Sequence, residues 1–132
     1  MKPLILVVDD EPDIEELFRQ QFRRDLKVGR FAMQFASSAP AALDFMSSAR
    51  DVSIILLLSD INMPGMSGLD LLRQVKAMRP DLPVIMITAY GDDATRRQAS
   101  ADGAAGLVPK PIDFRELRGQ VDTLLGALDS PS

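Results

Sequence analysis

The chain has 132 residues, 46% of them hydrophobic, and a net charge of −4, with no cysteine and no histidine. That suits one globular domain with its own core, leaves no apolar run near the ~20 residues of a membrane span, and provides no broad basic field for nucleic acid. Without cysteine or histidine there are no disulfides, thiolate or imidazole metal sites or Ser-His triads, so any chemistry must use carboxylates, hydroxyls, lysine and a hard metal.

The first residues lead directly into "LILVV" (4–8). That run is too short for a signal-peptide core, so a cytoplasmic location is expected. It suits a strand buried on both faces of a parallel sheet. Pro12 then opens a helix with Ile14, Leu17, Phe18 and Phe22 on one face. In "RFAMQFAS" (30–37), Phe31, Met33 and Phe35 alternate with smaller or polar residues, the pattern of a half-exposed edge strand. A second helix runs from Ser37 to Ser48, with Pro40 near its start. "SIILLLS" (53–59) is another buried strand, ending against Asp60 and followed by Pro64, Gly65 and Gly68. Ser67 to Asp70 read as a capping box for a third helix carrying Leu71, Leu72, Val75 and Met78. "PVIMIT" (83–88) is a fourth strand, "DDATRRQASADG" (92–103) a fourth helix stopped by Gly103, and "GLVPK" (106–110) a fifth strand. Asp113 with Glu116 caps the last helix, whose stripe is Phe114, Leu117, Val121, Leu124, Leu125 and Leu128.

Five strands alternating with five helices predict a doubly wound, flavodoxin-like α/β fold with a parallel sheet. With the alternating strand at the edge, the order is 2-1-3-4-5. The expected unit is one domain over 1–132, with its core at about 4–128 and a loose tail at 129–132. In such a sheet the site lies outside the carboxyl ends of the strands, at the switch between strands one and three. Asp9, Asp10 and Glu11 follow strand one, Asp60 follows strand three, Thr88 and Ala89 end strand four, and Lys110 ends strand five. Two carboxylates ~4 Å apart repel by roughly 4 kcal/mol at an effective dielectric near 20, so three acids on one rim want a cation.

The pieces "LVVDDEP" (6–12), "LLLSDINMPGMSG" (56–68), "ITAYGD" (87–92) and "LVPKP" (107–111) fall in order at the ends of predicted strands. Together they resemble the receiver domain of two-component response regulators, over about residues 4 to 128. The resemblance implies that Asp60 is the phosphoacceptor, taking the phosphoryl group of a phosphohistidine on a sensor histidine kinase or histidine phosphotransfer protein. It implies Mg²⁺ held by Asp9, Asp10, a carboxylate oxygen of Asp60 and the backbone carbonyl of Asn62, which suits the ion's preference for oxygen ligands. It further implies that Lys110 and the Thr88 hydroxyl bind the phosphoryl oxygens, and that the fourth helix, fifth strand and last helix form a face for a downstream protein or a second copy.

Some positions depart from the family pattern. Leu107 stands three before Lys110, where many receivers carry a Tyr or Phe that rotates on signalling, so Thr88 and Leu107 are the expected switch positions, with Tyr90 a candidate to share the role. The stretch around Asp25 to Arg30 lengthens the chain between Asp10 and Asp60, and Ser59 stands where an aliphatic residue is usual. Two other classes share the site residues: a small Mg²⁺-dependent aspartyl phosphohydrolase and a degenerate receiver that serves as an interaction module. The first needs a cap for which no residues are spare. The second leaves a complete site unused.

Overall fold

A computed structural model describes residues 2–49, 51–89 and 93–129, with side chains up to residue 126. Its strands are β1 (Lys2–Val8), β2 (Ala32–Ala36), β3 (Val52–Asp60), β4 (Val84–Thr88) and β5 (Gly106–Pro109). Its helices are α1 (Ile14–Gln21), α2 (Arg23–Lys27), α3 (Ala39–Ser48), α4 (Gly68–Met78), α5 (Asp93–Ala101) and α6 (Phe114–Asp129). The strands form one parallel sheet in the order β2-β1-β3-β4-β5, as expected.

Alternation along β1 divides the core in two. Leu4, Leu6 and Val8 pack on the side of α3, α4 and α5, with Leu71, Leu72, Val75 and Ala99. Ile5 and Val7 pack on the other side with Phe18 of α1, Phe22 just after it, and Leu117 and Val121 of α6. On β3 the parity breaks, because Leu4 pairs with Ile54 but Ile5 with Leu56. Ile55 is therefore an extra residue, and Ile54 and Leu57 face the same layer although three apart. A bulge of this kind bends and twists a strand locally. Phe18 anchors the second layer, stacked 6.0 Å from Phe22 and edge-on 5.3 Å from Phe114. Burying each ring contributes about 2 kcal/mol.

Among the described residues there are six helices rather than five. The added one is α2, which buries none of its residues and so leaves no apolar stripe to read. Its Leu26 packs half-buried against the core, and Arg30 Nη1 links it to α6, lying 3.1 Å from Asp25 and 2.7 Å from Asp122. Other expectations shift by a turn or a residue. The helix after Pro12 starts at Ile14, and Leu17 is 39% exposed, so the buried stripe is Ile14, Phe18 and Phe22. Met78 at the end of α4 is 49% exposed and drops out of that stripe. The Ser67 cap forms, its Oγ accepting the Asp70 N–H at 3.2 Å. The return bond runs from Ser67 Oγ to the Asp70 carboxylate instead of from the Ser67 backbone. Asp113 Oδ1 accepts the N–H groups of Arg115 and Glu116 and caps α6 as expected. Leu128 lies outside the described side chains.

Candidate functional site

Sheet register brings the rim together. Val8 pairs with Ser59, so the next residues, Asp9 and Asp60, stand side by side. Asp60 pairs with Ile87, and Thr88 with Pro109, so Thr88 and Lys110 reach nearly the same height. Backbone bonds fix these ends: Asp9 N–H donates to the Ala36 carbonyl at 3.0 Å, and Lys110 N–H to the Thr88 carbonyl at 2.8 Å. The Lys110–Pro111 peptide bond is cis.

Lys110 is the hub. Its Nζ lies 2.9 Å from Asp60 Oδ2, 3.1 Å from Glu11 Oε1 and 3.4 Å from Asp9 Oδ2. Burial opposes the charge on Lys110. Its hydrogen bonds to Asp60 and Glu11 and the negative charges of Asp9 and Asp60 outweigh that, and its pKa is held well above the usual lysine value. Asp60 is buried, and its second oxygen, Oδ1, accepts the Asn62 N–H at 3.1 Å. Asn62 also donates from Nδ2 to the Thr88 hydroxyl, at 3.4 Å. Thr88 itself is fully buried.

Oxygens of Asp9, Asp10 and Asp60 lie within 4.8 Å of one another. Asp9 is buried, and that burial pushes its carboxyl pKa up despite the Glu11 N–H it accepts at 2.9 Å. Its other oxygen, Oδ2, is shut off from solvent and accepts no hydrogen bond. A buried carboxylate oxygen that accepts no hydrogen bond, with Lys110 at 3.4 Å and two further acids beside it, fits a hard, oxygen-seeking cation such as Mg²⁺. Asn62, whose carbonyl is expected to join that set, is the second residue past β3.

The structure therefore brings together Asp9, Asp10, Asp60, Asn62, Thr88 and Lys110. Leu107 is set apart from the acids: half-buried, it pairs with Met86 and packs into the layer that holds α3, α4 and α5. Tyr90 lies outside the described residues. Ser59 donates to the Asp60 carbonyl at 3.0 Å, which satisfies a fully buried hydroxyl. Two further residues near the rim, Glu11 and Gly68, shape the site. Glu11 is a ligand of Lys110, and only its adjacency to Asp10 hinted at that. Gly68 makes room for the backbone of Asp60 and Ile61, since a Cβ there would overlap the Asp60 carbonyl oxygen and stand 2.7 Å from Ile61 Cα. Gly65 takes φ +77° in the turn after Pro64, a left-handed conformation that favours glycine.

Comparison with known proteins places this arrangement in context. The family profile of the response regulator receiver domain matches residues 5–122. The response regulator protein PilR of Pseudomonas aeruginosa is 38% identical over 120 residues, which make up 91% of this chain and 25% of PilR. The signal receiver domain of an HD domain-containing protein from Pseudomonas fluorescens superposes with a TM-score of 0.84 at 26% identity, covering 99% of this chain and 100% of that one. The response regulator protein TrrA of Thermotoga maritima, solved in complex with Mg²⁺ and BeF, gives 0.77 at 32% identity over 94% of this chain and 99% of that one. The chain spans between 22% and 51% of the length of the first curated relatives it matches.

Proposed function

This chain belongs to the response regulator receiver family, and from that premise we propose that Asp60 accepts a phosphoryl group from the phosphohistidine of a sensor histidine kinase or histidine phosphotransfer protein. The supporting observation is the setting of Asp60, 3% exposed at the end of a central strand, with one oxygen on Lys110 and the other on the Asn62 N–H. An ionised carboxylate attacks without a base, which suits a chain lacking histidine. As the donor's P–N bond breaks, a P–O bond to Asp60 forms. Charge on the phosphoryl oxygens is met by the Lys110 ammonium and the Thr88 hydroxyl. Asp9, Asp10, Asp60 and the Asn62 carbonyl would hold Mg²⁺, which when bound neutralises the acids and draws charge from the phosphoryl oxygens.

In this reading the protein is a stoichiometric phosphoacceptor that assists its own phosphorylation and dephosphorylation, acting in the cytoplasm as one receiver domain over 1–132. Thr88 moves towards the phosphoryl group, Tyr90 and Leu107 follow, and the face made by α5, β5 and α6 meets a downstream protein or a second copy. Among the described residues no helix is long and apolar enough to cross a membrane. Incubation with acetyl phosphate and Mg²⁺ should add one phosphoryl group by intact mass, and Asp60→Ala should abolish it. Equal labelling of that variant would remove Asp60 from the role.

A further inference from the structure

Lys110 carries one positive charge and faces three carboxylates, and these are not equivalent. Asp9 and Asp60 belong, with Asp10, to the cluster whose oxygens converge within 4.8 Å, and a metal there would neutralise them. Glu11 stands outside that cluster, with its side chain 59% exposed, and its ion-pair partner among the described residues is Lys110 at 3.1 Å. Glu11 therefore depends on Lys110 for its counter-charge whether or not a metal is present. We propose that Glu11 opposes the phosphorylated state: by competing for Lys110 it weakens the hold on the phosphoryl group and shortens its lifetime.

Glu11 can act in this way only with Asp60 as the phosphoacceptor. A phosphoryl group on Asp60 must draw the Lys110 ammonium away from the carboxylates it now contacts. That leaves Glu11 without its cation and beside a dianion, an unfavourable like-charge contact. In the free protein the same pair favours the unphosphorylated state, because it ties Lys110 at 3.1 Å to a side chain outside the acid cluster, Glu11 touching that cluster otherwise only through its backbone N–H on Asp9. Glu11 acts through Lys110 and is a positioning residue. Because it is exposed, salt should screen its influence.

The test compares wild type with Glu11→Gln, which keeps size and removes charge, and with Glu11→Asp, which keeps charge. At low salt with saturating Mg²⁺, Glu11→Gln should bind beryllofluoride, a phosphoryl mimic, about threefold tighter. It should also hold an Asp60 phosphoryl group about threefold longer, with Glu11→Asp near wild type. Raising the salt to 0.5 M should close most of the gap, as screening of an exposed charge requires. Without metal, the Lys110 side-chain nitrogen resonance should shift in Glu11→Gln and little in Glu11→Asp, a signature that general loosening of the fold would not give. Equal or weaker beryllofluoride binding by Glu11→Gln, or a gap insensitive to salt, overturns the inference while leaving Asp60 as acceptor. If neither protein binds the mimic or takes a phosphoryl group, the reading of Asp60 fails and this inference falls with it.

Discussion

The α-carbon of Gly68 lies so close to the carbonyl oxygen of Asp60 that no side chain fits between them. Its N–H donates to the Ile61 carbonyl at 2.8 Å, and α4 begins there. The helix start is thus bolted to the strand end that carries Asp60. Any residue larger than glycine must push α4 or the Asp60 backbone aside, and both are packed. Gly68→Ala should cost about 3 kcal/mol in chemical denaturation, the upper end for overpacking, because backbone and not a flexible side chain is in the way. Phosphorylation of Asp60 should slow as well. An unaltered midpoint would show that the contact relaxes at no cost.

Lys110 is the cation that lets Asp9 and Asp60 be buried without metal. Removing one partner of a buried pair is more costly than removing both, because a charge remains stranded. Lys110→Met should therefore destabilise the metal-free protein by about 3 kcal/mol. Mg²⁺ should restore much of the loss, since it neutralises the same acids. Phosphoryl uptake should still be lost, because Mg²⁺ does not replace the ammonium on the phosphoryl oxygens. The check is thermal melting of wild type and variant with and without Mg²⁺. A loss that Mg²⁺ left untouched would argue against the ligand set.

Asp9 points the other way. Burial raises its folded-state pKa above the unfolded value of 3.8. Between those two values the folded state binds more protons than the unfolded one, so this group's contribution to stability falls as pH rises. At neutral pH the ionised Asp9 is then a net cost in the metal-free protein. Asp9→Asn should raise the metal-free melting temperature at pH 7, with the advantage shrinking as pH drops towards 4. Mg²⁺ should stabilise wild type and leave Asn behind. A variant less stable than wild type at pH 7 would show that the Lys110 contact outweighs desolvation.

The sheet was legible because its central strands are nearly uninterrupted apolar runs, and the rim because each polar residue directly follows such a run. Helix α2 was not, since its contacts are one half-buried Leu26 and the Arg30 bridge to Asp122, a pair 92 residues apart in sequence, and neither makes a stripe. The spacing showed an added segment around Asp25 to Arg30 but not its conformation. Leu17 and Met78 fit the stripes by periodicity, but Leu17, inside α1, and Met78, the last residue of α4, lie on the exposed edge of the apolar face. Within the site, the acids and lysine followed from strand register. The exposed Glu11 and the side-chain bond from Asn62 to Thr88 depend on rotamers that a strand pattern does not specify.

Helix α5 buries little, and what it buries lies near its C-terminal end. Ala99, in its last turns, is its buried residue, and the rest of the described helix is exposed or half-buried. Just beyond it, Asp102 Oδ2 accepts from Arg73 Nε of α4 at 3.1 Å and from Gln98 Nε2 at 3.0 Å. The C-terminal end is thus pinned to α4, while the first turn contributes no buried residue among those described. Elements with few apolar contacts lie at the low-stability end of a fold and are readily biased. Movement of Thr88 towards a phosphoryl group pulls on the chain that leads into that first turn, so α5 should pivot about Ala99 and Asp102. Leu107, without ring or hydroxyl, can follow only by packing. Amide hydrogen exchange with Mg²⁺ and beryllofluoride should change most between residues 93 and 98, and Leu107→Ala should leave most of that change intact. Arg73→Ala should let it spread into residues 99 to 103. A response confined to β5 and α6, with α5 unaltered, would refute the pivot.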